Sequence, residues 1–282
     1  MVPVDWPLPC DNPRVSMMGR FQDKQILITG ASAGIGKVTA REFVRAGARV
    51  IGTGRNAARL DEVTAELGTD RFVPMVADVA DVASMQALVE RVRDEVGVPD
   101  IVIANAGIGH DAHFVDTTEE AWHELFETNV FGVVRTVRPF VAGMVERGSG
   151  RFILISSVVG KRGIPHYAGY AASKFALDGM ADVLRVELAG TGVTVGTVYP
   201  SSTVSEFQDR TQRVGMDRKP SRPHRHSTLG VARAILRMSA SKRTEMLLSV
   251  EGNFMALMDK VSPRFVDWVL ARVLSRRRSD RG

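Results

Sequence analysis

Two of the chain's three tyrosines, Tyr167 and Tyr170, stand within two turns of a lysine in the stretch YAGYAASKFALDG, residues 167–179. Phenylalanine is used twelve times in the chain, and it fills a core without burying a hydroxyl, so tyrosine here marks an oxygen that is wanted. Tyr170 and Lys174 are four residues apart and share one face of a helix. An ammonium beside a phenol favours the phenolate and lowers its pKa from about 10. That is a route to a proton donor usable near neutral pH. A surface pair with no chemistry has the same spacing, so the decision rests on what the chain builds around it.

The surrounding elements alternate. QILIT (25–29), RVIGT (49–53), RFVPMV (71–76), DIVIAN (100–105), RFILIS (151–156), VTVGTV (193–198) and EMLLSV (245–250) read as strands. Their near-continuous Val, Ile and Leu content is that of strands covered on both faces. Helices are expected between them at about 34–46, 57–67, 81–96, 118–147, 167–189 and 228–240. Gly47, Gly68, Gly97, Gly148 and Gly190 stand where helices should end. Strands alternating with helices predict an α/β fold, a Rossmann-type doubly wound parallel sheet of about seven strands.

Directly after the first strand comes TGASAGIGKVTA, residues 29–40. Gly30, Gly34 and Gly36 let a backbone approach a pyrophosphate, and the next helix offers free N–H groups. A Walker A loop does not fit, because Ala31 replaces its first glycine and Val38 its Ser/Thr. The second strand ends at Gly54, without the carboxylate that would accept from the ribose 2′-hydroxyl of NAD. Arg55 comes next, and a guanidinium matches the 2′-phosphate of NADP. The alternative for Arg55 is a solvated surface residue.

With TGASAGIG at 29–36, NAG at 105–107 and YxxxK at 170–174, the chain resembles the short-chain dehydrogenase/reductase family over about residues 20–250. The Gly54-Arg55 end of the second strand favours NADP(H) over NAD(H), and the resemblance implies a small-molecule carbonyl or alcohol substrate and a homodimer or homotetramer. It implies Tyr170 as the acid/base, Ser157 as a donor to the substrate oxygen, and Lys174 on the nicotinamide ribose, lowering the tyrosine pKa. It also implies Asn129 as the anchor of a water in the proton relay. Gly30, Ser32, Gly34, Ile35 and Gly36 are the implied pyrophosphate loop, and Asp78 and Val79 the adenine contacts. Asn105, Ala106 and Gly107 support the strand ends, and Pro200 and Ser205 approach the carboxamide. Ser201 stands where the family has glycine, Ser205 where it has threonine, and Ala104 where it has a first asparagine. Tyr167 is expected in the pocket wall or in packing, and Ser156 turned away from the site. His110, His113 and His166 lack tight ligand spacing, so no metal is expected. A catalytically silent cofactor-sensing protein of the same fold and an NAD-dependent alcohol dehydrogenase are the alternatives.

Residues 1–19 are expected to form a loosely docked or disordered arm, residues 20–250 one domain, and residues 251–282 amphipathic helices with a basic tail. The single cysteine, Cys10, fits a reducing, cytoplasmic setting, and the N-terminus lacks the charge and apolar run of a secretory signal. No nucleic-acid motif is present. The formal charge of +5 hides an asymmetry. Residues 1–206 carry 20 Lys and Arg against 25 Asp and Glu, and residues 207–282 carry 17 against 7. A variable substrate lid is expected at about 204–227; its six Lys and Arg suit an acidic substrate or thioester carrier as well as a solvated loop. In SPRFVDWVLARVL, Phe265, Val266, Trp268, Val269, Leu270, Val273 and Leu274 form a wide apolar face. That face is read as pocket cover or subunit packing, with peripheral contact to an anionic membrane as the second reading. An apolar ketone, alcohol or acyl substrate fits such surroundings.

Overall fold

The computed structural model describes residues 19–204, 207, 211–214 and 226–279. The N-terminal arm to residue 18, most of the expected lid, and Ser205 lie outside them. Seven strands form one parallel sheet. They are β1 (Gln25–Thr29), β2 (Arg49–Gly54), β3 (Phe72–Val76), β4 (Ile101–Ala104), β5 (Gly150–Ile155), β6 (Val193–Tyr199) and β7 (Glu245–Leu247). Their order is β7-β6-β5-β4-β1-β2-β3. The chain runs outward from β1 to β3, then crosses back to β4, so the strand order reverses between β1 and β4. The crevice at the C-terminal ends of these two strands is where such sheets take ligands.

Both faces of the sheet are covered, as the apolar strands require. Alternation sends Leu27 to one core and Ile26 and Ile28 to the other. The first core is closed by α3 (Val82–Glu95), α5 (Gly132–Arg147) and α6 (Ala168–Glu187). The second is closed by α1 (Gly34–Arg45), α2 (Ala57–Leu67) and α7 (Thr228–Ser239). Asn56, Asp81 and Ser227 cap α2, α3 and α7 with side-chain acceptors. Helix α1 has Ala33 at this position and no side-chain cap, so its first N–H groups remain for another acceptor.

Two expected elements differ in detail. The helical run at 118–147 is α4 (Glu119–Phe126), a π turn at Glu127–Phe131, and then α5. A π turn inserts one extra residue and rotates the helix beyond it, a device concentrated at functional sites. The last strand stops at Leu247 because Ser249 caps a new helix, its hydroxyl accepting from Gly252 N at 2.9 Å. That helix, α8 (Val250–Val261), and α9 (Pro263–Ser279) pack together as a C-terminal hairpin.

Candidate active site

A cleft of about 1340 Å³ opens at the C-terminal ends of β1 and β4. It is wider than the roughly 300–1,000 Å³ of a single small-ligand pocket. One half is built from the glycine loop. Gly30 and Gly34 take φ of +69° and +53°, a region that favours glycine. A Cβ on Gly36 would lie 2.1 Å from the Gly30 carbonyl oxygen and 2.6 Å from Asn105 Nδ2, so only glycine lets α1 start this close to β1. Asn105 Nδ2 donates to the Thr29 carbonyl at 2.9 Å, while Thr29 Oγ1 accepts from the Asn105 and Ala106 amides at 3.1 and 3.2 Å. These bonds lock the ends of β1 and β4 together beneath the loop.

Every cofactor-loop residue expected from the sequence within the described residues lines this cleft: the three glycines, Ser32, Ile35, Asn105, Ala106 and Gly107. Arg55, Asp78, Val79 and Pro200 line it as well. At its β2 end no carboxylate comes directly after the strand. A Cβ on Gly54 would meet Ser32 Oγ at 2.8 Å, which leaves that edge to backbone and hydroxyl. Arg55 Nη1 lies 3.7 Å from Asp78 Oδ2, with the arginine side chain 64% exposed. The geometry fits a dinucleotide: an uncapped helix start, a Gly36 that admits no side chain, and basic groups at the far end.

The other half holds the titratable groups. Tyr170 and Lys174 project from the first turns of α6 as their spacing predicts, and Ser157 stands just past the end of β5. Ser157 lies close enough to the Tyr170 phenol to influence its proton affinity, and its hydroxyl donates to the Pro200 carbonyl at 3.5 Å. Ser156 turns away, its Oγ donating to the Lys174 carbonyl at 3.4 Å, as alternation along β5 demands. Lys174 Nζ donates to the Ile155 carbonyl at 3.0 Å.

The electrostatics correct one expectation. Burial pushes the Tyr170 phenol up to about 12; the Ser157 contact opposes this and Tyr167 adds to it. Lys174 does not pull it down, because Lys174 is itself buried, and burial lowers it to about 8 against the attraction of Asp178. Desolvation outweighs the Ser157 contact at Tyr170 and the Asp178 charge at Lys174.

Asn129 lies in the π turn, fully buried, and does not line the cleft. Its amide clamps the loop after β4: Oδ1 accepts from Ile108 N at 2.9 Å, and Nδ2 donates to the Ile108 carbonyl and Ser173 Oγ, each at 3.0 Å. Tyr167 is in the pocket wall, its hydroxyl donating to Asp111 Oδ2 at 3.1 Å. His110 is buried at the cleft wall, and the His113 and His166 rings meet edge-on at 4.2 Å. Among the described residues no cluster of metal-ligating side chains occurs.

Two features were not expected from the sequence. Arg59, in the first turn of α2, joins Arg55 at the β2 end of the cleft. Asp111 is a buried carboxylate in the wall, whose Oδ1 accepts no hydrogen bond among the described residues. Leu270 lines the cleft, in keeping with the pocket-cover reading of its face, and Met255 of α8 joins it.

Comparison with known proteins gives the same family. The short chain dehydrogenase family model matches residues 24–214. Dehydrogenase/reductase SDR family member 7B of Danio rerio is 37% identical over 195 residues, 66% of this chain and 63% of that protein. A short-chain dehydrogenase from Sphingobium yanoikuyae, solved in complex with NADPH, superposes with a TM-score of 0.74 at 27% identity, covering 86% of this chain and 96% of that one. One from Burkholderia phymatum, solved in complex with NAD, has a TM-score of 0.78 at 21% identity over 88% and 96%, and shows the shared fold. The chain spans less than two thirds of the zebrafish relative's length. It belongs to the short chain dehydrogenase family.

Proposed function

We propose that this short chain dehydrogenase is an NADP-dependent carbonyl reductase with Tyr170 as its proton donor. The observation that carries the reading is the meeting of Ser157, Tyr170 and Lys174 in the same cleft as the glycine loop. When bound, the nicotinamide cofactor supplies the hydride. The chain's own residues hold the carbonyl, deliver the proton and exclude water.

The protonation states favour reduction. A phenol held near 12 is protonated at neutral pH and ready to give its proton to a developing alkoxide. Ser157, beside Tyr170 in the cleft wall, would donate to the same oxygen and stabilise its charge. With Lys174 near 8, return of a proton from its ammonium to the tyrosinate through water runs downhill. Asn129 serves this site as a positioning residue, fixing the loop at Ile108 beside Lys174.

Gly54, Arg55 and Arg59 support the 2′-phosphate of NADP(H). Leu125, Ile164, Phe207, Met255 and Leu270 support an apolar carbonyl substrate. One observation favours NAD instead: Arg55 already has the Asp78 carboxylate 3.7 Å away. Parallel titrations of the purified protein with NADPH and NADH, and then apolar ketones with the tighter cofactor, test the proposal. Preference for NADPH and its consumption by ketones is expected. Preference for NADH would move the search to alcohol oxidation.

A further inference from the structure

The C-terminal hairpin has two sides, and the cleft accounts for one. On α8, Met255 lines the cleft and Asp259, one turn on, pairs with Arg162 at 2.7 Å. On α9, Val266 is buried and Leu270, one turn on, lines the cleft, while Asp267 also pairs with Arg162. Each helix thus turns one stripe inward. The wide apolar face expected of α9 is divided between this side and the other.

The outer stripe is apolar and exposed. Phe254, Leu257 and Val261 of α8 are 63%, 61% and 73% exposed, and Phe265 and Trp268 of α9 are 48% and 55% exposed. The Phe265 and Trp268 rings stack at 6.1 Å, and the Arg272 guanidinium lies 4.9 Å from the Trp268 ring centre. Lys260, Arg264 and Arg272 are exposed beside this stripe. Residues 260–281 contain seven Lys and Arg against Asp267 and Asp280, and Asp267 is already paired with Arg162. No helix among the described residues is long and apolar enough to cross a membrane.

We infer that this outer face docks on an anionic bilayer surface, with the hairpin lying between the cleft and the lipid. Phenylalanine, leucine and tryptophan enter the acyl boundary while lysine and arginine remain at the headgroups. Each cation near an anionic surface adds attraction that salt screens. The charge selects this occupant over a second copy of the chain, since two such faces would set cation against cation. The inference does not depend on the catalytic proposal, because docking is read without cofactor or substrate.

Flotation of the full chain with phosphatidylcholine vesicles, with and without phosphatidylserine, tests it. Binding to the anionic vesicles is expected, weaker by about tenfold or more on neutral ones and reduced by salt. Leu257→Asp with Trp268→Glu, and separately Lys260→Glu with Arg264→Glu, should each lower anionic-vesicle binding by about tenfold or more. The thermal transition should stay in place, since these side chains are exposed. Equal binding to both vesicles, or undiminished binding by the Leu257→Asp/Trp268→Glu protein, would overturn the inference. A concentration-dependent dimer that this double variant abolishes, with no vesicle binding by the parent, would assign the face to a second copy and also overturn it.

Discussion

Lys174 gives its hydrogen bond to the Ile155 carbonyl at 3.0 Å while its ammonium lies 5.7 Å from the centre of the Tyr170 ring. Both side chains are buried, and burial separates their proton affinities: the phenol is held near 12 and the ammonium near 8. At neutral pH the pair is therefore phenol beside ammonium. In the proposed mechanism the lysine holds and resupplies a proton, and its burial carries a cost to the fold.

That cost is measurable. Unfolded, the Lys174 amine keeps its proton to about 10.5; folded, it loses it near 8. Between these values the unfolded chain binds more protons, so this group makes stability rise with pH across the window, and its penalty is fully present below pH 8. Lys174→Met should raise stability near pH 7 by roughly 1–3 kcal/mol, after loss of the Ile155 hydrogen bond, while abolishing turnover. Urea unfolding from pH 7 to 10 checks it. A less stable variant that keeps the parent's pH slope would contradict the burial argument.

Arg55 and Arg59 set the cofactor prediction. Arg55→Ala and Arg59→Ala should each weaken NADPH binding by about tenfold or more and leave NADH binding nearly unchanged, since a charge-assisted phosphate contact is lost only with the former. Fluorescence titration with both cofactors reads this directly. Equal losses would remove the phosphate role from these arginines.

Legibility in the sequence divides along physical lines. The seven strands were readable because residues buried on both faces must be apolar in succession, and the glycine loop because Gly30 and Gly34 need positive φ and Gly36 a bare Cα. Tyr170 and Lys174 share a helix, so their spacing carried their geometry. The Tyr170 pKa was misjudged because local spacing shows the ammonium but not its burial. Asp111 meets Tyr167 across 56 residues, and no local pattern encodes such a contact. The two-sided character of α9 depends on Arg162, a residue of another loop, which pulls Asp267 toward the body.

The glycines give a paired prediction. Gly36→Ala forces a Cβ against the Gly30 carbonyl and should cost roughly 1–3 kcal/mol, with weakened cofactor binding. Gly179→Ala, in the middle of α6 with no atom within 4 Å of the added carbon, should stabilise by about 0.5–1 kcal/mol. Thermal melts of both variants separate a tight site from a merely flexible residue. Tolerance at Gly36 would mean the loop is not closed by that contact.

The central claim, that Tyr170 hands its proton to a carbonyl oxygen as hydride arrives, is tested most directly by stopped-flow NADPH oxidation with an apolar ketone, parent against Tyr170→Phe. The variant should bind NADPH like the parent but oxidise it about 10²–10⁴-fold more slowly. A Tyr170→Phe protein that keeps the parent rate would contradict it.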